Sequence, residues 1–165
     1  MVFISHRKDD VARAVRIAHR ACLAGFDFWL DIFDPALAGY PGVAEATPQE
    51  AQVVALIIEM ALLYSTQVIA VYTPQTAGSQ WVPYEYGRVK EQALHSPQAA
   101  SWLHSDVTLF PEYLYLGERL HSEGAVDAWL KSERRRMGFN VPPTCSWTGE
   151  ETRSLDDPDS RDPRR

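Results

Sequence analysis

The stretch Ser79-Gln-Trp-Val-Pro-Tyr-Glu85 sets an indole and a carboxylate four residues apart, directly after an all-apolar run. Four residues are about one helical turn, so a helix here places Trp81 and Glu85 on one side, with Arg88 and Gln92 continuing that stripe. Val82, Tyr86, Val89 and Ala93 form a second stripe roughly 100° away, and this is the one expected to meet the core. An aromatic ring beside an anion suits a cationic, planar or sugar-bearing ligand. Each residue also has a plainer reading: Glu85 as a solvated helix glutamate, Trp81 as core packing.

The flanking residues supply a helix start. Ser79 is a good N-cap, and Pro83 falls in the first turn, where a missing N–H costs nothing. The run Val-Ile-Ala-Val-Tyr at 68–72, ending in Thr73-Pro74, predicts a central parallel strand covered on both faces that feeds this helix. Upstream, Val2–Ser5 reads as a strand ending in the polar turn His-Arg-Lys-Asp-Asp. From Asp9 the apolar positions Val11, Val15, Ala18 and Cys22 predict an amphipathic helix ending near Gly25. Residues 26–31, Phe-Asp-Phe-Trp-Leu-Asp, predict a second strand with Asp31 at its carboxyl end. Strand, helix, strand implies a right-handed parallel crossover.

Between 32 and 48 the chain carries prolines and glycines without a period, which predicts a long loop. Residues 49–64 predict a helix apolar on most sides, with Gln52 and Glu59 as its polar breaks. Such a helix is buried in the domain or covered by a partner. Residues 94–105 read as irregular, with Trp102 in a packing role, and 107–110 and 113–116 are the remaining strand candidates. Ser122 caps a last helix whose Val126, Trp129, Leu130 and Glu133 share a side; Arg134, Arg135 and Arg136 complement its carboxyl end before Gly138. One domain over 1–138 is expected, with 139–165 a Pro/Asp/Arg-rich tail, disordered or a linker.

Composition narrows the partners. The 165 residues carry a formal net charge of −6 and the pI is near 5.3. The bases are scattered until the C-terminal part, so nucleic acid is not an expected partner. Cys22 and Cys145 are too few and too far apart to suggest a disulfide framework, and no Cys/His cluster has metal-ligand spacing. No signal-peptide pattern opens the chain, and no apolar run approaches a membrane span. The expected protein is cytoplasmic, metal-free and off the membrane.

Three segments in a fixed order carry a resemblance: Phe-Ile-Ser-His-Arg at the first strand, Phe-Trp-Leu-Asp at the second, and Val-Ile-Ala-Val-Tyr-Thr-Pro followed by Ser-x-Trp-x-x-x-Glu. Together they resemble a TIR domain of the bacterial, NAD-cleaving type, over roughly residues 2–137. The resemblance implies an α/β, flavodoxin-like fold: a mainly parallel five-stranded sheet with helices on both faces. It implies NAD+ glycohydrolase or cyclase activity on the nicotinamide–ribose bond, in anti-phage defence or immune signalling, with NAD+ as substrate and no cofactor. Glu85 takes the catalytic position. Ser5, His6, Arg7, Asp31 and Trp81 take substrate-binding positions, and Arg7 is the best phosphate candidate because its guanidinium forks onto such oxygens.

The loop after Asp31 and the Arg7-Lys8 pair depart from the family pattern. Self-association through TIR surfaces or a partner effector protein is the implied assembly. Two other function classes stay open: a non-catalytic TIR module acting by self-association, and a nucleoside deoxyribosyltransferase-like enzyme with a catalytic glutamate.

Overall fold

The computed structural model describes residues 1–40, 46–92, 98–139, 144, 145 and 147. Five strands, β1 (Val2–Ser5), β2 (Phe28–Trp29), β3 (Gln67–Tyr72), β4 (Ala99–Leu103) and β5 (Glu118–Leu120), form one sheet in the order β2-β1-β3-β4-β5. All four pairings are parallel. This is the flavodoxin-like order, in which the strand sequence reverses between β1 and β3 and leaves a crevice at their carboxyl ends.

Side-chain alternation assigns the layers. Val2 and Ile4 of β1, Ile69 and Val71 of β3, and Trp102 of β4 pack with helix α1 (Val11–Leu23) and helix α4 (Glu123–Arg136). Phe3, Val68, Ala70, Tyr72 and Leu103 face the opposite way, onto helix α2 (Pro48–Leu63) and helix α3 (Trp81–Gln92). Strands buried on both faces read as continuous apolar runs, and β1 and β3 are such strands. On the first face, Arg16 and Arg20 of α1 pair with Glu123 of α4, and Arg20 also pairs with Asp127. The four residues predicted to share a side of α4 are all buried, and the Ser122 hydroxyl accepts from the Ala125 N–H as its cap.

Four expectations are corrected. The irregular stretch predicted at 94–105 contains β4, wholly buried; residues 93–97 of that stretch and of the predicted α3 stripe lie outside the described residues. Of the two late strand candidates, 107–110 forms no strand, and 113–116 lies in a 3-10 turn, Glu112–Leu116. The strand that closes this side of the sheet is β5, reached through Gly117, where a Cβ would collide with the Tyr86 hydroxyl and the Ala99 carbonyl. Second, β2 has only two residues, because the chain turns into a 3-10 segment at Asp31–Phe33.

Third, α2 forms as expected and starts at a Thr47 capping box with Glu50, but of its two readings burial in the domain does not hold: only Ala61 and Leu62 are buried. Leu56, Met60, Leu63 and Tyr64 stand about half exposed or more. Fourth, Cys22 and Cys145 form a disulfide with Cα atoms 5.2 Å apart, and Trp147 packs on the α1–β2 face. The start of the predicted tail is therefore anchored, and the two cysteines read as too far apart in sequence to suggest a disulfide framework do pair. Residues 140–143, 146 and 148–165 of that tail, and 41–45 of the predicted long loop, lie outside the described residues. Among the described residues no helix is long and apolar enough to cross a membrane.

Candidate functional site at the carboxyl edge of β1

Alternation along β1 sends Phe3 and Ser5 to the α3 side, so the Ser5 side chain meets that helix. Its hydroxyl donates to Glu85 Oε2 across 2.5 Å. Among the residues of α3 whose side chains are described, Val82, Glu85, Tyr86 and Val89 are buried, a spacing of i, i+3, i+4 and i+7 that makes one inward stripe. Glu85 thus belongs with the core-facing residues, at their edge, and is separated from the stripe proposed with Trp81 and Arg88. Helix α3 opens as the sequence predicts, with the Ser79 hydroxyl accepting from the Val82 N–H at 3.3 Å.

Only 7% of Glu85 is exposed. Burial pushes its carboxyl up, the Ser5 hydrogen bond pulls it back down, and the negative charge of Asp31 adds to the rise, leaving it at about 7. Near neutral pH this group is divided between its acid and its anion. A cation arriving beside it would shift the balance to the anion, since an opposite charge favours the ionised form.

Asp31 stands at the carboxyl end of β2, about half exposed, with Oδ1 3.6 Å from His6 Nε2. His6 is almost fully enclosed, with 3% of its side chain accessible. Burial lowers its pKa below the ordinary 6.5, against the pull of Asp31, a backbone hydrogen bond at Ile4 and the charge of Asp10. The imidazole is therefore neutral at pH 7. Its Nε2 has no hydrogen-bond partner among the described residues, so the contact with Asp31 is a proximity and not a hydrogen bond.

Arg7 leaves the strand end in the other direction. Its Nη1 donates to the Gln75 carbonyl at 2.5 Å and lies near Gly78, in the 3-10 turn Pro74–Gly78 that leads into α3. The guanidinium thus ties the end of β1 to the start of the helix that carries Glu85.

Trp81 is not brought to Glu85. It is 39% exposed, its ring edge-on to Tyr84 at 5.9 Å, and with Ala55, Gln80 and Tyr84 it lines an open depression on the α2 side. Tyr84 and Arg88 both bond to Glu59 of α2, the tyrosine at 2.6 Å and the guanidinium at 2.8 and 2.9 Å. Of the predicted face, Trp81 and Arg88 lie at the seam between α3 and α2, and Glu85 does not.

One residue pair went unread in the sequence. Asp10, read there as part of a polar turn, is 1% exposed and accepts from the Thr73 hydroxyl at 2.9 Å, bridging the ends of β1 and β3. Burial raises its pKa, while the Thr73 hydrogen bond and the Arg13 charge oppose the rise. The available signal was positional: an Asp shortly after β1 and a Thr immediately after β3 both belong to the crevice edge. Asp9, Asp10, Arg13, Thr73, His104 and Asp106 border a polar cavity of about 230 Å³ beside it. No group of three or more His, Cys, Asp or Glu side chains suited to a metal occurs among the described residues. Neither family models nor curated proteins provide a match to this chain.

Proposed function

We propose that the chain cleaves the nicotinamide–ribose bond of NAD+, with Glu85 as the catalytic carboxylate. The observation that carries this reading is the placement of Glu85: buried, hydrogen-bonded to Ser5, and tuned to about 7 beside Asp31 at the sheet's switch point. In the reaction the bond from ribose C1′ to the pyridinium nitrogen breaks, and its electron pair goes to nitrogen. Nicotinamide leaves neutral and needs no proton.

The ribosyl centre left behind is oxocarbenium-like. An anion held in a water-poor site stabilises that charge far better than one in bulk solvent. The positively charged substrate favours the ionised form of Glu85, so the ligand itself prepares the catalyst. Water then adds to C1′ and loses a proton to give ADP-ribose, or a nucleophile within the same molecule closes a ring. Ser5 orients Glu85. The resemblance to TIR enzymes supports His6 and Asp31 on the sugar side of the pocket, while Arg7 would have to leave the Gln75 carbonyl to reach a phosphate. The same resemblance supports a role in anti-phage defence or immune signalling.

A second reading, action by self-association, is favoured by the apolar face of α2, where Leu56 is 57% and Tyr64 71% exposed. The two are compatible if assembly completes the pocket. Incubation with NAD+ and, separately, with a nucleoside panel, followed by chromatography of the products, tests the choice. Release of nicotinamide by the wild type and its loss in Glu85→Ala are expected. Base release from nucleosides with none from NAD+ would move the assignment to deoxyribosyl transfer, and no turnover of either at any protein concentration would leave the association module.

A further inference from the structure

We propose that the Cys22–Cys145 disulfide is an exchangeable strap: opening it by a thiol reductant frees Trp147 from its seat and loosens the turn that carries Asp31. The proposal is independent of the catalytic reading.

The bond joins the last turn of α1 to a residue 123 positions away. Both cysteines are only partly buried, so a small thiol can approach them. Two residues beyond Cys145, the Trp147 ring lies 5.3 Å from Phe28, 5.3 Å from Phe33 and 5.7 Å from His19. Phe28 and Phe33 also meet each other edge-on at 6.3 Å. Trp147 is thus the third ring of a cluster that closes over β2 and the turn behind it.

Backbone pairing in that region is sparse, and its other anchors are Leu30, buried in the core, and Trp29, stacked on Phe3 at 4.7 Å and bonded to Asp34. The edge strand β2 shares just two register positions with β1, Val2 with Phe28 and Phe3 with Trp29. Phe33, at the end of the Asp31–Phe33 turn, is 50% exposed even with Trp147 against it. A segment with few backbone pairings and a half-exposed anchor opens at low cost, independently of the rest of the fold. Asp31 sits two residues from Phe33 and acts on both His6 and Glu85, so the strap's grip reaches the site.

The chemistry balances with a dithiol as reductant. Its thiolate attacks one sulfur of the pair, giving a mixed disulfide and one cysteine thiolate. The reductant's second thiol then displaces the other cysteine. Two electrons and two protons pass to Cys22 and Cys145, and the reductant leaves as its cyclic disulfide.

The test is hydrogen–deuterium exchange by mass spectrometry on the full chain, oxidised and after dithiothreitol, with the thiol state read from the intact mass. On reduction, peptides covering 28–34 should exchange about tenfold faster or more, while β3 and α3 keep their protection. Trp147→Ala with the disulfide intact should reproduce that pattern, and Cys145→Ser should show it without responding to dithiothreitol. Unchanged exchange over 28–34 on reduction would overturn the proposal, as would a rise spread equally over every element, the behaviour of a global staple. So would two free thiols persisting in buffer containing oxidised glutathione, or a Trp147→Ala chain as protected as the wild type.

Discussion

Helices α2 and α3 lie side by side on one face of the sheet and invert the usual rule in opposite senses. The inward stripe of α3 buries a carboxylate, Glu85, among Val82, Tyr86 and Val89, whereas α2 leaves Leu56, Met60 and Leu63 about half exposed. Ordinary folding favours neither arrangement: an ionisable group resists burial, and apolar area gains by it. The contrast separates two roles. The anomaly in α3 sits at the carboxyl edge of the sheet, where open α/β sheets bind ligands; the anomaly in α2 is an exposed apolar surface.

The largest effects should come from Glu85 itself. Its carboxyl is held at about 7 against an ordinary 4.5, so the folded state keeps a proton that the unfolded chain gives up. Stability from this group is therefore full below pH 4.5 and is lost as pH rises through 7. Glu85→Gln should lower nicotinamide release about 100-fold or more, on the scale of a lost electrostatic contact to the transition state. The same substitution should raise unfolding stability at pH 8 by up to about 3 kcal/mol, measured by urea titration. A variant that is both less active and less stable would mean that the carboxylate is structural.

On α2 the expectation reverses. Leu56→Asp with Met60→Glu should change unfolding stability by no more than about 0.5 kcal/mol each, as at other open surface positions. Any self-association seen by light scattering should disappear. A loss of several kcal/mol would place this face in the core and dissolve the contrast.

The seam between the helices gives the smallest effect. Trp81→Ala should change nicotinamide release by a few fold at most, since the indole faces Tyr84 and the α2 side. A loss approaching that of Glu85→Gln would show that Trp81 enters the pocket, as the resemblance had implied.

Much of the frame was legible in the sequence. Val2–Ser5 and the 68–72 run declare themselves by β-branched and aromatic residues, and Ser122 with Val126, Trp129, Leu130 and Glu133 declares α4 by capping and period. Strand β4 escaped because Ala-Ala-Ser-Trp-Leu has no β-branched residue; its burial comes from small side chains beneath helices on both faces.

The site was half legible. The i, i+4 spacing of Trp81 and Glu85 is real, but a helix face is broad, and Glu85 lies near enough to the Val82, Tyr86 and Val89 stripe to turn inward while Trp81 stays out. Tertiary contacts decide such borderline positions, here the Ser5 hydroxyl on one side and Glu59 on the other. The Cys22–Cys145 bond and the Asp10–Thr73 contact join residues far apart in sequence, and no local pattern encodes either.

The charge of the buried Glu85 carboxylate is set by its neighbours, and the pH dependence of kcat/KM for nicotinamide release, in the wild type and in Asp31→Asn, measures this most directly. The wild-type value should rise with pH through a midpoint near 7, and the midpoint should move lower once the negative charge of Asp31 is gone. A profile flat from about pH 5.5 to 8.5, or a midpoint unmoved by Asp31→Asn, would contradict it.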